Sequence, residues 1–301
     1  MRWRRLAGAV MLAAVVWWVG LDPFVSGIRA LDARVLVLGA LLGVPVTVAA
    51  AWRWQLVARG LGVDLPLGRA IAACYRSQLL NCLLPGGVLG DVHRGLDHGR
   101  TAGDVPRGLR AVAWERTAGQ LVQGAVALLV LVLLPSPVRS TAPVIMTAVA
   151  LAVVLLVVLA RSWSVVGADL AALLRRRTWP GVVASSAVTV AGLLAMYLVA
   201  ARAVGVAASA VSLVPLALLV LVAAAVPANL AGWGPREGMA AWAFAAAGLG
   251  ADAGVATTVA FGVMVLVSVL PGALVLLLDA QRPRVRRATS RNVEKEVPSD
   301  A

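Results

Sequence analysis

The sequence contains little charge and few cysteines. Only 14% of its 301 residues are charged, whereas 61% are hydrophobic and the mean hydropathy is +0.90. Soluble domains carry about 25% charged residues, so this composition excludes an ordinary soluble fold and predicts a membrane protein. Cys74 and Cys82 lie in an apolar segment without a partner motif. We interpret them as small buried hydrophobic residues rather than as a disulfide or a metal site.

Histidine is equally scarce, and this argues against a metal centre. The metal-ligand residue types that lie close together are Asp91, His93, Asp97 and His98. These are the only two histidines of the chain, and stable sites usually recruit ligands from elsewhere in the sequence, so we expect no metal and no cofactor. No nucleophile elbow, zinc-protease helix or phosphate-binding loop is present. We therefore expect no catalytic residues and no enzymatic activity.

Six segments are apolar over the length of a bilayer crossing, about 20 residues. Four of them are free of charge over that full length: Thr117–Val138, Ser140–Ala160, Trp179–Ala201 and Ala253–Leu278. Two shorter runs, Leu6–Leu21 and Val35–Trp52, qualify if their flanking Trp and Arg side chains reach the interface. The first run could be a signal peptide. No small-x-small cleavage site follows it, so we expect an uncleaved first helix.

The net charge of +13 comes mainly from loops on one side of this arrangement. The loops of the opposite side hold only Arg29, Arg34, Arg139 and Arg202. Lys and Arg near the ends of spans remain in the cytoplasm, which predicts a protein of the cytoplasmic (inner) membrane with both termini inside. This explanation leaves no need for a nucleic-acid partner. The basic, polar segment 281–301 is predicted to be a disordered cytoplasmic tail.

Two further apolar stretches are broken by proline, glycine and charge. The helical opening of Ala70–Gly90 should stop near Leu84, because the next residues are Pro85-Gly86-Gly87. The second stretch, Val214–Leu249, is interrupted between Pro227 and Gly238. Non-helical backbone at membrane depth needs protein or water to satisfy its amides. Each break therefore predicts a re-entrant, half-membrane hairpin that faces a cavity.

The alternative is an ordinary loop at Gly86–Asp97 and a single crossing at Ala203–Pro235. That crossing would be too long for one span and would place the basic tail outside. With hairpins, the order span, hairpin, span occurs in both 35–134 and 179–278, entered from opposite faces, as in inverted-repeat transporters. We predict an all-α polytopic fold of about six spans plus two re-entrant hairpins, in one transmembrane domain over 1–280.

Polar residues in and beside the breaks are the candidate substrate-binding groups. Charges at membrane depth usually pair with one another or serve a substrate path. Glycines allow close backbone approach, and half-helix N-termini and arginines suit phosphate. The candidates are Arg76, Asn81, Pro85, Gly86, Gly87, Gly90, Asp91, Arg94, Glu115, Arg116, Asn229, Gly232, Gly234, Arg236 and Glu237. We expect the carboxylates to pair with the arginines when no substrate is bound; alternatively, the pairs only fix helix packing.

Several of these residues form ordered motifs. The motifs are Trp52-Arg53-Trp54 with Leu56 and Gly60, Asn81-x-x-x-Pro85-Gly86-Gly87-x-x-Gly90-Asp91-x-x-Arg94, Glu115-Arg116, and Pro227-x-Asn229-x-x-Gly232-x-Gly234-x-Arg236-Glu237-Gly238. Over about Leu6–Leu278 the chain resembles the lysylphosphatidylglycerol synthase transmembrane (flippase-like) family. The resemblance implies translocation of a modified phospholipid, which a separate soluble domain makes by aminoacyl transfer. Few residues follow Leu278, so we expect a stand-alone member without that domain.

Stand-alone members of this family are also associated with cell-envelope polysaccharide or glycolipid pathways. The resemblance therefore implies translocation of a phospholipid, an aminoacyl-lipid, or a glycolipid or polyprenyl-linked headgroup, with membrane lipids as partners. An alternative is a non-catalytic membrane scaffold, which would bind an envelope-synthesis enzyme through an arginine-rich face that includes Arg175–Arg177. A membrane enzyme acting on lipid phosphates ranks last, because no nucleophile–base pair is visible.

Overall fold

The computed structural model describes residues 16–17, 19–84, 87–134, 164–225 and 234–281. These residues form helices and contain no strand. The helices are α1 (Asp22–Arg29), α2 (Ala33–Gly60), α3 (Leu67–Leu83), α4 (Leu89–Thr101), α5 (Val105–Leu133), α6 (Ser164–Leu173), α7 (Trp179–Ala203), α8 (Ala210–Ala224), α9 (Pro235–Ala246), α10 (Ala251–Val269) and α11 (Pro271–Gln281). The predicted span Ser140–Ala160, most of Leu6–Leu21 and the tail 282–301 lie outside the described residues.

Four helical segments are long and apolar enough to cross a membrane: α2, α5, α7 and the combined α10–α11. They confirm a polytopic helical fold and contain three predicted spans and most of the fourth. Helix α2 continues past Trp52, where the predicted span ends, because the next charge, Arg53, is buried in ion pairs rather than placed at an interface. Helix α5 begins at Val105, well before Thr117, because the Asp104 side chain caps its first turn through the amide of Arg107.

The first predicted break is present, and most of the second lies outside the described residues. The first apolar stretch stops being helical at Leu84, as expected before the Pro-Gly-Gly sequence, and α4 then continues as a polar helix to Thr101. Hydrogen bonds from Ser77 to Asp91 and from Arg76 to Asp97 show that α3 and α4 run antiparallel. In the second stretch, α8 ends before the break and α9 begins after Gly234, whose φ of 119° favours glycine.

Helices α2–α5 and α7–α10 form two units that pack in the same way. In each unit the two middle helices, here called arms, flank a break: α3 and α4 in the first unit, α8 and α9 in the second. The first helix of each unit packs on the first arm, the two arms pack on each other, and the second arm packs on the last helix. Between the units, α10 packs against α2 as α5 packs against α7, and α3 contacts α10 as α8 contacts α5. The units are therefore related by an approximate two-fold arrangement.

The two units meet along α2 and α7, which run antiparallel. Gly181 lies beside Leu56 and Gly192 lies beside Val46, so positions increase along one helix as they decrease along the other. A Cβ atom at either glycine would overlap the facing side chain, because small residues bring the backbones close together. The first helices of the two units thus run in opposite directions.

The two units differ in what fills their interiors. The second unit contains the larger apolar core, which includes the fully buried Tyr197, Leu216 and Phe244. The first unit has a smaller apolar core around Trp54. Beside Trp54, at the level where α2, α4 and α5 cross, the interior of this unit is filled by charged side chains.

Candidate functional site

Glu115 of α5 is the centre of a buried ion cluster. Its side chain is enclosed, and the whole residue is 1% exposed. Oε1 accepts from Arg53 Nε at 2.8 Å and from Nη2 at 2.5 Å, while Oε2 accepts from Arg94 Nη2 at 2.6 Å. The remaining Arg53 nitrogen donates to Ser186 of α7 at 3.3 Å. One carboxylate therefore holds arginines from two helices of the first unit and links them to the second unit.

Arg94 completes this cluster. Its Nε donates to Asp91 at 2.9 Å, its Nη1 donates to the Cys74 sulfur at 3.5 Å, and its guanidinium lies 4.7 Å from the centre of the Trp54 ring. Each nitrogen of Arg94, like each nitrogen of Arg53, is thus engaged by protein. The two arginines thus hold the helices together, with a protein contact at each of their nitrogens. Cys74 is buried, as its apolar surroundings predict, and both cysteines are free.

Asp91 joins the two arms of the first hairpin to α5. Its Oδ1 accepts from Ser77 and Arg94, each at 2.9 Å, and its Oδ2 accepts from Asn81 at 2.9 Å and also contacts Arg116. A buried carboxylate with this many donors is well compensated for leaving water. The Arg116 side chain is 45% exposed, so it is the accessible cation at the edge of the cluster.

Gly90 lies where the two arms of this hairpin touch. Its amide donates to Asn81 Oδ1 at 2.8 Å, and a Cβ atom would overlap the carbonyl oxygen of Ser77. Glycine is therefore required here for close approach. Gly87 follows the break with a φ of 61°, a conformation that glycine adopts without strain.

The second break carries its own buried pair. Glu237 is fully enclosed, and its carboxylate accepts from the Gly234 amide and from Arg236 Nε, both at 2.6 Å. The same side chain therefore caps α9 and positions Arg236. The Arg236 guanidinium lies against Gly262 of α10, where a Cβ atom would overlap it. This close contact places Arg236 beside the last helix of the second unit.

Two adjoining cavities lie between the units, with volumes of about 530 Å³ and 310 Å³. Residues beside both breaks line the larger one: Gly87 and Val88 from the first unit, and Ala224, Ala225 and Arg236 from the second. The cavities share the wall residues Gly87, Asp91, Arg116, Leu193, Ala224 and Val265. Arg116 and Asp91 thus stand between the two spaces.

The charged side chains at these cavities have a net positive charge. The charged wall residues are Arg53, Arg94, Arg116, Arg236, Asp91 and Glu115. Glu237 lies behind Arg236, so the surplus is one positive charge. The side chains of Arg53 and Arg94 are buried in protein contacts, whereas that of Arg116 is 45% exposed, so Arg116 is the most accessible of these arginines to an anion.

Arg76 does not join the other candidates. It donates to Asp97 of α4 at 2.9 Å and to Asp279 of α11 at 2.5 Å, and it lines a separate cavity with both carboxylates. Helix α11 packs on α3 beside this group, and Gly272 approaches the backbone of Tyr75 too closely for any side chain. Arg76 thus ties the C-terminal end of the second unit to the first hairpin.

Replacing Arg76 by glutamine is expected to loosen α11, because the charge that attracts Asp97 and Asp279 is lost. Hydrogen bonds to charged groups are worth about 1.5–3 kcal/mol, so hydrogen exchange in α11 should rise several-fold or more. Arg69→Gln is the matched control, since Arg69 is an exposed residue of the same cavity. Equal exchange in the two variants would contradict the role assigned to Arg76.

The structure brings most of the predicted site residues to one place. The residues at the two adjoining cavities are Asn81, Gly87, Asp91, Arg94, Glu115, Arg116 and Arg236, with Gly90, Gly234 and Glu237 directly behind them. Pro85, Gly86, Asn229 and Gly232 lie outside the described residues. The expected pairing of carboxylates with arginines is present at Asp91, Glu115 and Glu237.

Sequence reasoning missed Arg53 and Gln123 as parts of the site. Arg53 stands between two tryptophans, a pattern typical of an interface, although it belongs to the Trp-Arg-Trp motif. Gln123 lines the larger cavity and donates to the carbonyl of Leu221 at 2.9 Å. The candidates were recognised mainly by their charge, and the side chain of Gln123 is an uncharged amide within an apolar span. The i, i+7 spacing of Arg116 and Gln123 along one helix face could have indicated it.

The four candidate metal ligands have separate environments. Asp91 and Asp97 bind different arginines, and His98 packs edge-on against Trp54 with ring centres 5.4 Å apart. Across the described parts of the chain, no group of three His, Cys, Asp or Glu side chains comes close enough to hold a metal ion.

Long apolar helices, a repeated helix order and charges buried between the repeats define a multi-pass helical membrane protein. The family described as the lysylphosphatidylglycerol synthase TM region matches residues 5–272, and the chain belongs to this family. The resemblance seen in the motifs is thereby confirmed, and it indicates a function connected with membrane lipids. A search among curated proteins finds no significant match.

Proposed function

We propose that this protein moves an anionic lipid headgroup across the cytoplasmic membrane through the two adjoining cavities, without chemical conversion of the lipid. The observation that carries this proposal is the convergence of both helix breaks on one cavity, where Arg116 and Arg236 face it from different units. Non-helical backbone and buried charge at such a place are costly in lipid and are retained in substrate paths.

The packing supports hairpins that enter the membrane without crossing it. Helix α3 begins soon after α2 ends, and α5 begins soon after α4 ends, so both ends of the first hairpin lie at one end of the unit. Its break reaches Arg116, in the middle third of α5. Because α2 and α7 are antiparallel, the second hairpin enters from the opposite face. We infer an inverted repeat with a site near the midplane and both termini in the cytoplasm.

The cavity walls suggest how a headgroup would be handled. A phosphate would take the exposed nitrogens of Arg116, which are not engaged by Asp91, and would face Arg236 across the larger cavity. The apolar walls of that cavity, including Leu193 and Phe261, suit the start of the acyl chains. Rocking of one unit against the other along the α2–α7 contact would expose the site to each leaflet in turn. Neither a cofactor nor a partner enzyme is needed for this step.

Replacing Arg116 by glutamine is expected to slow lipid movement while leaving the fold intact, because Asp91 keeps Arg94, Ser77 and Asn81 as partners. A hydrogen bond to a charged group is worth about 1.5–3 kcal/mol, so the rate should fall roughly 10- to 100-fold. Fluorescent phosphatidylglycerol in proteoliposomes, with a membrane-impermeant quencher outside, measures the rate.

The matched control for this experiment is Arg110→Gln. Arg110 lies on the same helix and pairs with Asp169 at 2.9 Å, away from both cavities between the units. It should retain the wild-type rate. A wild-type protein that moves none of the anionic lipids offered, or a control that slows as much as Arg116→Gln, would contradict the proposed function.

A further inference from the structure

The smaller cavity has one wall of uncharged hydrogen-bonding side chains. Thr47 of α2, Gln78 of α3, Thr189 of α7 and Ser268 of α10 contribute to it. These four helices belong to both units, so the wall is assembled only when the units pack together. With a volume of about 310 Å³, the cavity has room for roughly ten water molecules. This wall has no part in the pairing of charges described above.

The hydroxyl groups of this wall already donate within the protein. Thr47 donates to Gln78 Oε1 at 2.9 Å, while Thr189 and Ser268 donate to backbone carbonyls of their own helices at 2.9 and 2.7 Å. Their oxygen lone pairs remain as acceptors, and the amide of Gln78 keeps its N–H donors. Acceptors and donors without charge are the complement of a ligand that carries several hydroxyl groups.

The carboxylates that line the same cavity are already paired, so they offer little to a cation. Glu115 is engaged by Arg53 and Arg94, and Asp91 accepts from four donors. An ammonium group in this cavity would meet a surplus of positive charge with no carboxylate left to pair with it. Burying an unpaired charge is strongly unfavourable. The cavity therefore selects against aminoacylated headgroups.

We propose that the smaller cavity is a specificity pocket, which takes the uncharged, hydroxyl-bearing end of a phosphate-linked headgroup while the phosphate stays at Arg116. Arg116 lines both cavities, so a phosphate bound there has access to the hydroxyl-bearing residues of the smaller cavity and to the larger cavity. The substrate class is a lipid phosphate that bears a neutral polyol, either glycerol or a sugar. This proposal rests on the proposed function and narrows it.

The test compares four labelled lipids in proteoliposomes made with the full chain. Phosphatidylglycerol and phosphatidylinositol carry the phosphate with a glycerol or a cyclic polyol, phosphatidic acid carries the phosphate alone, and lysylphosphatidylglycerol adds ammonium groups. We expect the two polyol lipids to move at least tenfold faster than phosphatidic acid, and the lysylated lipid to move slowest. The ratio of the two polyol lipids tells whether glycerol or a ring is preferred.

Thr189→Val is the variant that assigns this preference to the wall, because valine keeps the shape of threonine and removes its oxygen. It should lower the phosphatidylglycerol rate several-fold and leave the phosphatidic acid rate unchanged. Thr257→Val is the control for the substitution itself, since Thr257 is fully buried, whereas Thr189 is half-buried, and lines neither cavity. Equal rates for phosphatidylglycerol and phosphatidic acid in the wild type, or an equal loss of both in Thr189→Val, would overturn the proposal.

Binding measured by native mass spectrometry in detergent separates this proposal from the proposed function. Preferential binding of phosphatidylglycerol over phosphatidic acid, lost in Thr189→Val, supports the specificity pocket even if no lipid is moved. In that case only the transport function would fail. Equal binding of the two lipids would overturn the specificity pocket, whatever the transport assay shows.

Discussion

Replacement of Glu115 by glutamine is expected to destabilise the folded protein by about 3–5 kcal/mol, the usual cost of removing one partner from a buried ion pair. Glu115 is the carboxylate to which Arg53 and Arg94 both donate, so the change leaves these two buried cations without their shared counterion. Glutamine has nearly the same shape, which isolates the effect of charge. Thermal unfolding in detergent, followed by circular dichroism and size exclusion, measures the loss.

Asp64→Asn provides the control for this substitution. Asp64 pairs with Arg59 at 3.4 Å, and both side chains are largely exposed. Exposed pairs contribute about 0–1 kcal/mol, so this variant should unfold close to the wild type. Adding Arg53→Gln to Glu115→Gln should restore part of the stability, because one uncompensated cation is removed. If Glu115→Gln and Asp64→Asn unfold at the same temperature, the ion cluster does not hold the first unit together.

Replacement of Gly90 by alanine is expected to abolish lipid movement. The added methyl group would overlap the carbonyl oxygen of Ser77, so the two arms must separate and the bond from the Gly90 amide to Asn81 is lost. Overpacking of this kind costs about 1–3 kcal/mol. The larger effect is on the site, because Asp91 is the next residue and would move away from Arg116. The measurement is the transport rate per unit of folded protein in proteoliposomes.

Gly68→Ala is the matched control on the same hairpin. Gly68 lies in the first turn of α3, and nothing would meet a Cβ atom there within 4 Å. Alanine is favoured over glycine in a helix by about 1 kcal/mol, so this variant should be as stable as the wild type or slightly more stable and should transport normally. Normal transport by Gly90→Ala would show that close contact of the two arms is not needed.

The helix breaks could be predicted from the sequence because they have local causes. Proline followed by two glycines strongly disfavours a helix, and α3 ends at Leu83 for that reason. The full length of α4 was not predicted. Its residues 89–101 are too polar to resemble a helix at membrane depth, and they form one because Asp91 and Arg94 find buried partners on other helices.

The partners within the site could not be predicted, because they are set by packing between distant segments. Arg53 and Glu115 are 62 positions apart, and Arg76 and Asp279 are 203 positions apart. Sequence reasoning grouped Arg76 with Asn81 because they lie close together on one helix. The structure turns Arg76 toward α11 and Asn81 toward Asp91, since residues five positions apart on a helix face different directions.

The unequal filling of the two units has a consequence for the empty protein. If both interiors were alike, exchanging the roles of the units would produce two conformations of equal free energy, and the vacant site would face each side half of the time. Here the first unit is held by the network around Glu115, whereas the described part of the second unit has an apolar core beside the Arg236–Glu237 pair. In the proposed transport cycle the two conformations would therefore differ in free energy, and the vacant site would have a preferred side. A lipid present on that side would find the site open, whereas a lipid on the other side would wait for the rarer conformation.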